Sequence, residues 1–205
     1  LGEMAGEAAA PVPLLALLKH PLAQGGLAPG QFRARVRTLE RLVLRGPRPA
    51  PGFGGLLAAL DALPVERDRR ALRDWLALWE ERAAPFMQAV AAPETSLPAL
   101  AAQHLTLAEV LAASDSAPGA SALWLGEAGE AAALFMAELI GNDTLGAIPG
   151  RAYPALFATL MVGRAVRPRH GTQPRIAILG PLEARLLRPD VTVLGGLNEG
   201  IWPGE

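Results

Sequence analysis

Apolar residues recur at helical spacing along most of the chain, and this periodicity constrains the fold more than any other feature. Residues 29–45 carry one apolar stripe with intervals of four, three and four residues, formed by Phe32, Val36, Leu39 and Val43. Such spacing places these side chains on one face of an α-helix. Similar stripes predict helices over residues 56–63, from about residue 65 onward, and over residues 97–112, 127–140 and 154–166. The chain is therefore predicted to be mainly α.

Proline and glycine punctuate this pattern. Gly46-Pro47 is predicted to end the first of these helices. Pro85 is predicted to end or kink the helix that starts near residue 65, because proline lacks an amide proton and clashes with the preceding turn. Residues 114–121 have the composition of a loop. The sequence thus predicts an array of short and medium helices joined by tight turns.

The last thirty residues have a different pattern. Two apolar runs, 176–179 and 191–194, are predicted to be short buried strands that flank a polar segment. That segment is close to the dozen or so residues that a parallel crossover needs. The second run leads into the glycine-rich turn GGLNEGIWP, at the position where open α/β sheets bind ligands. This part is therefore predicted to be a strand-helix-strand segment.

Composition excludes several functional classes. The 205 residues have a net charge of −1, so any contact with nucleic acid must come from a local basic patch. The absence of cysteine excludes disulfides and thiolate metal sites, and agrees with a reducing compartment such as the cytoplasm. No apolar run approaches the ~20 residues of a membrane span, and no signal peptide is visible.

The ordered motifs of the chain resemble the AddB family in its alphaproteobacterial form. AddB is the partner subunit of a helicase–nuclease that processes double-strand DNA breaks. The resemblance rests on LLALLKHP at residues 14–21, LRGPRPAPG at 44–52, GPLEARL at 180–186 and GGLNEGIWP at 195–203. The family-motif positions are Gly180, Glu183, Arg185, Asn198, Glu199, Gly200 and Trp202. The chain begins in helix-like sequence and stops just after a motif, which predicts a segment of a longer protein.

The resemblance implies an architecture. Superfamily-1 helicases such as UvrD insert a helical subdomain into their second RecA-like domain, and AddB resembles a degenerate version of that plan. Residues 1–168 would then be a helical insertion-type subdomain. Residues 169–205 would be the short α/β segment where the chain re-enters the RecA-like sheet.

Catalytic residues are absent from the sequence patterns. No GxxxxGK[ST] phosphate loop occurs, and ILGPLEARL stands where active helicases carry a TxH…KGLE segment. The three histidines, His20, His104 and His170, have no metal-ligand spacing. His104 lies in an apolar stripe and is interpreted as a hydrogen-bonded core residue, and His20 as a helix-end cap. We therefore predict no catalytic residue, metal or cofactor, and no enzymatic activity of this chain.

Two arginine clusters are the candidate DNA contacts. Arg33, Arg37, Arg41 and Arg45 recur every four residues, and Arg48 follows in the turn. A second cluster precedes the predicted strands and is formed by Arg164, Arg167, Arg169, His170 and Arg175. Arginine binds phosphate oxygens in a bidentate manner, although a solvated helix face paired with acids elsewhere explains the same pattern. The main candidates are Arg167, Arg169, Arg175, Arg33, Arg37 and Arg41.

Two functional hypotheses remain open. In the first, the chain is a non-catalytic helicase-like module that holds DNA and docks the AddA-type motor subunit in a repair complex. In the second, it is a purely structural scaffold between domains or subunits, with no DNA contact of its own. A further hypothesis is that Glu183 and Arg185 form a clasp with the turn at residues 195–202. Bases could stack on tryptophans, but Trp75 and Trp79 lie in an apolar stripe and are predicted to be core.

Overall fold

The computed structural model describes residues 1–64, 69–166, 175–180 and 182–195. The chain divides into two compact units, Leu1–Val166 and Arg167–Glu205. The first unit contains the helices and one small sheet. The described part of the second unit contains a single short 3₁₀ helix, Glu183–Leu186.

The prediction of a mainly α chain is confirmed. The helices of the first unit are α1 Gly2–Gly6, α2 Pro11–Leu18, α3 Pro29–Leu39, α4 Gly52–Asp61, α5 Arg69–Ala91, α6 Leu97–Ala112, α7 Ala120–Leu123, α8 Gly126–Gly141 and α9 Tyr153–Met161. A π-helical turn, Glu40–Leu44, continues α3, and a 3₁₀ turn, Gly150–Ala152, precedes α9. Strands β1 Thr95–Ser96 and β2 Ala147–Ile148 pair antiparallel, with Thr95 opposite Ile148.

Helix α5 is the centre of the first unit. It packs against α1, α3, α4 and α6, and α6 in turn packs against α8. The inner face of α5 buries seven side chains, namely Leu72, Trp75, Leu76, Trp79, Ala83, Phe86 and Val90. Burial of a large apolar side chain contributes about 1.5–3 kcal/mol, so this face stabilises the unit more than the intrinsic propensity of α5 does.

Pro85 does not end α5, so the prediction of a helix end near Ala84 was wrong. The helix continues to Ala91 with Pro85 inside it. The missing amide leaves the carbonyl of Glu81 without its helical donor, but Glu81 is exposed and water can satisfy it. Beyond the proline, Phe86 and Val90 are 1% and 3% exposed, and their burial offsets the cost of the proline.

The other helix boundaries agree with the periodicity to different degrees. Helix α6 has the predicted bounds. Helix α9 ends at Met161 rather than near Val166, because Val162 is extended and Gly163 adopts a left-handed conformation with φ of 84°. Helix α2 was not predicted, since its apolar residues do not form a clear stripe in eight residues.

The two predicted strands at 176–179 and 191–194 are not formed. Both segments lack regular structure, and their apolar side chains are exposed, with Ile178 98% and Val193 88% accessible. A short strand is stable only when its backbone is paired and one face is buried. The described part of the second unit offers neither, and the polar segment between the runs forms the 3₁₀ helix Glu183–Leu186.

A search of the described helices for a membrane span found none that is both long and apolar enough.

Candidate nucleic-acid interface

Three arginines on the outer face of α3 and its π-helical continuation form what we call the arginine ridge: Arg33, Arg37 and Arg41. All three side chains are exposed, and none has a hydrogen bond or ion pair with another described residue. The apolar stripe opposite them is buried in the core, with Phe32 and Leu39 at 0% exposure. Packing of that stripe therefore fixes the direction in which the ridge points.

Arg35 and Arg45 do not belong to the ridge. The Arg35 Nη1 atom donates a hydrogen bond of 2.7 Å to the carbonyl of Ala71, which ties α3 to the first turns of α5. The Arg45 guanidinium donates to Glu40 Oε1 from Nη2 at 2.9 Å and from Nε at 3.3 Å. Of the four arginines that recur every four residues, three therefore remain free to meet a phosphate.

The π-helical turn explains the position of Arg45. Its amide donates to the carbonyl of Glu40, five residues earlier, at 3.0 Å. Residues five apart lie above one another in such a turn, whereas the helical period of the sequence predicted an interval of four. The turn thus places Arg45 over Glu40 and away from the line that Arg33 and Arg37 define.

Glu40 is held between two cations. Lys19 Nζ lies 2.8 Å from Glu40 Oε2, and Arg45 lies on the other carboxylate oxygen. The hydrogen bonds from Lys19 and then Arg45 lower the pKa of Glu40. Sequence reasoning missed the Lys19 contact, because it joins the end of α2 to the end of α3 across twenty-one residues.

Charge is segregated along the first unit. Residues 83–150 contain no lysine or arginine, although the acidic residues in this stretch number seven: Glu94, Glu109, Asp115, Glu127, Glu130, Glu138 and Asp143. The ridge contacts α5 near Ala71, whereas the backbone amide of Gly150 binds the carbonyl of Ala92 just beyond the opposite end of α5. These two contact points are about 30 Å apart along a straight helix. A polyanion would therefore be attracted to one end of the unit and repelled from the other.

The second arginine cluster is only partly within the described residues. Arg167, Arg169 and His170 lie outside them, so their candidate role stays a prediction. Arg175 is exposed and has no partner among the described residues. Arg164 is already engaged, since its Nη2 atom lies 2.6 Å from Glu138 Oε2 and its guanidinium stacks over Phe135 at 4.5 Å.

The GPLEARL motif forms a local cap. The Glu183 carboxylate accepts a hydrogen bond of 2.9 Å from the backbone amide of Gly180, which is half of a capping box at the start of the 3₁₀ helix. Arg185 is exposed. The other family-motif positions, Asn198, Glu199, Gly200 and Trp202, lie outside the described residues. The proposed clasp between Glu183, Arg185 and that turn therefore stays a prediction.

His104 is a hydrogen-bonded core residue, as predicted. Its Nδ1 atom lies 2.9 Å from the hydroxyl of Tyr153, which is fully buried. The imidazole stacks on Phe86, with ring centres 5.1 Å apart and planes at 22°, and it also contacts Phe157. Burial lowers the pKa of His104 to about 4 and raises the pKa of Tyr153. A neutral imidazole in an aromatic cage stabilises the fold and has no access to a substrate.

His20 follows the end of α2 and accepts a hydrogen bond of 3.2 Å from the amide of Leu22. This contact agrees with its interpretation as a helix-end cap. Trp75 and Trp79 are 5% exposed and confirm the prediction of core positions. Trp124 is half-buried, and its indole donates a hydrogen bond of 2.8 Å to Glu109. None of these three indoles offers a free face for stacking on a base.

The indole amides of Trp75 and Trp79 are buried and have no hydrogen-bond partner among the described residues. An apolar cavity of about 20 Å³ lies beside them, lined by side chains that include Leu14, Leu76 and Leu107. This volume suffices for about one water molecule, far below the roughly 300 Å³ of a typical small-molecule site. The cavity is therefore a packing gap rather than a substrate pocket.

Within the described ranges, no group of three or more histidine, aspartate or glutamate side chains is placed to hold a metal ion. The arginine ridge is thus the best-supported candidate for a functional surface, and its chemistry is that of an anion-binding face. Comparison with protein families, with curated proteins and with solved structures finds no match for this chain.

Proposed function

We propose that this chain is a non-catalytic, helicase-like module of a cytoplasmic complex for double-strand-break repair and homologous recombination. In that complex it helps to hold DNA and to dock a motor helicase–nuclease subunit of the AddA type. The resemblance of its motifs to AddB supports the complex and the partner. The arginine ridge is the single observation that carries the DNA contact.

The ridge has the properties of a phosphate-binding face. Its three guanidinium groups are exposed and lack acidic partners among the described residues, so binding a phosphate would break no ion pair. Arg33 and Arg41 are eight residues apart, roughly 12 Å along the axis. Each guanidinium can bind two phosphate oxygens, and these contacts position a nucleic acid without reading its sequence.

The acidic stretch 83–150 supports the same proposal. Its side chains repel a polyanion, and the ridge at the other end of α5 attracts it, so the approach of DNA would be oriented. The surface lacks exposed aromatic platforms in the described residues, since the aromatic rings there are buried or half-buried. Contact with the phosphate backbone is therefore the expected mode of binding.

The test is the salt dependence of binding to a fluorescently labelled DNA duplex, measured with the whole 205-residue chain. If all three ridge arginines each neutralise one phosphate, log K should fall against log[salt] with a slope of about −2.7, at about −0.9 per phosphate. Replacement of Arg33, Arg37 or Arg41 with alanine should flatten the slope by about 0.9 each time.

Arg151→Ala is the matched control. It removes the same charge from an exposed arginine at the opposite end of α5, next to Gly150. We expect this variant to retain the affinity and the slope. Equal losses for Arg151→Ala and Arg37→Ala would show a nonspecific charge effect. No measurable binding, or a slope unchanged in all ridge variants, would favour the alternative of a structural scaffold without its own DNA contact.

A further inference from the structure

The described part of the second unit exposes an unusual amount of apolar surface. Within residues 175–195, eight large apolar side chains are at least 40% exposed, namely Ile176, Ile178, Leu179, Leu182, Leu187, Val191, Val193 and Leu194. Folded monomeric proteins rarely leave such a dense group in water, and exposed apolar surface of this kind marks an interaction site.

The backbone of the same segments is also unpaired. We call residues 176–179 the first run and residues 191–194 the second run. In the described part of the second unit, backbone hydrogen bonds are confined to the turn around Glu183–Leu186. None is donated or accepted by a residue of either run. Unpaired, β-branched segments are ready templates for pairing with another strand.

The two runs share one sequence pattern. Each begins after a charged residue, alternates β-branched residues with a small or hydroxyl residue, and ends in Leu-Gly: R-IAIL-G at 175–180 and D-VTVL-G at 190–195. In an extended chain the period of two places Ile176 and Ile178 on one face, and Val191 and Val193 likewise. Each run can therefore bury one apolar face once its backbone is paired.

We propose that a second copy of this chain covers these runs through antiparallel β pairing. Charge decides the direction. Parallel pairing of a run with its own copy would place Arg175 beside Arg175, or Asp190 beside Asp190, which is unfavourable. Antiparallel pairing places each charge opposite the leucine at the far end of the run. It also places Thr192 opposite Thr192.

Two further features favour a second copy as the occupant. The net charge of −1 opposes the approach of two copies only weakly. An antiparallel pair of identical runs has two-fold symmetry, and such an interface closes after two copies. The expected product is therefore a discrete dimer that uses the second unit and leaves the arginine ridge uncovered.

The test is sedimentation velocity of the whole chain over a hundredfold range of concentration. We expect a monomer–dimer equilibrium. The double substitution Ile178→Lys with Val193→Lys should raise the dissociation constant at least about tenfold, because a charge enters each apolar face. The double substitution Ala177→Pro with Thr192→Pro should do the same without changing charge, because each proline removes an amide donor.

The control is Leu134→Lys, which changes a leucine of α8 that is 68% exposed in the first unit. This variant should dimerise like the parent chain. Circular dichroism of all variants should show the same helical signal, since the altered side chains are exposed. A chain that stays monomeric at every concentration would overturn the proposal. Open-ended assemblies, dimers that survive the proline variant, or loss of dimers in Leu134→Lys would also overturn it.

Discussion

Protonation of His104 should weaken the fold at mildly acidic pH. The imidazole lies between α5, α6 and α9, where its Nδ1 atom is 2.9 Å from the Tyr153 hydroxyl and its ring stacks on Phe86. A positive charge there would lose its hydration and convert the hydrogen-bond acceptor into a donor. Desolvation, with a smaller contribution from the positive charge of the Leu1 ammonium, lowers the pKa to about 4.

The size of the effect follows from linkage. The pKa of His104 is about 4 in the folded state, against an ordinary value of 6.5. Between these values the unfolded chain binds a proton that the folded chain does not, so the free energy of unfolding falls as pH falls. At 1.36 kcal/mol for each pKa unit, the loss amounts to about 3 kcal/mol. It begins near pH 6.5 and is complete near pH 4, and the full stability is present above pH 7.

The assay is urea denaturation followed by helical circular dichroism at several pH values between 7 and 4. The reference is the double variant His104→Phe with Tyr153→Phe, which keeps an aromatic ring at both positions and leaves neither polar partner unpaired. The parent chain should lose about 3 kcal/mol more than this variant on going from pH 7 to 4. The single variant His104→Phe should lose about 1–3 kcal/mol at pH 7, because the Tyr153 hydroxyl is left buried without a partner.

His20→Asn provides the matched control. It removes an exposed histidine, and its stability should depend on pH as that of the parent chain does. The reasoning is refuted if the parent chain and the double variant lose the same free energy between pH 7 and 4. A nuclear magnetic resonance titration that gives His104 a pKa near 6.5 would refute it as well.

Three further predictions concern the backbone and the chemistry. Gly150→Ala should destabilise the chain by about 1–3 kcal/mol, since the new Cβ would lie 2.1 Å from the carbonyl oxygen of Ala89, whereas Gly141→Ala, with open space around it, should not; urea melts compare the two. Ala8→Gly should stabilise it by about 0.5–1 kcal/mol, because Ala8 has a φ of 49°, and Ala16→Gly within α2 should do the opposite. The purified chain should not hydrolyse ATP, because a phosphate loop is missing from its sequence, and DNA-stimulated hydrolysis that co-purifies with the protein would contradict this.

Local periodicity was sufficient to predict most of the helices. The stripes that contain Phe32 and Val36 on α3, and Leu72 and Trp79 on α5, are buried where their spacing placed them. The stop at Gly46-Pro47 and the bounds of α6 also followed from residues within the same segment. These features are local, because a helix satisfies its own backbone and only needs one apolar face to pack.

The outcome at the strands shows the opposite case. The runs at 176–179 and 191–194 have the composition of strands, yet the described residues provide no partner for their backbone, and no strand forms. A strand depends on hydrogen bonds to another segment, and the sequence of the strand itself does not contain that segment. The antiparallel pair β1–β2 was missed for the same reason, since its two members are more than fifty residues apart.

For the candidate site, the sequence by itself determined the chemistry, and the tertiary structure decided which residues can use it. The sequence showed a row of arginines and the absence of a phosphate loop or thiolate ligands. Only the fold showed that Arg45 is paired with Glu40 through a π-helical turn and that Arg35 is bonded to α5. Only the fold joined His104 to Tyr153, forty-nine residues away. Residue types and helical period are properties of a short segment, whereas ion pairs, burial and the free faces of side chains depend on which distant segments pack together.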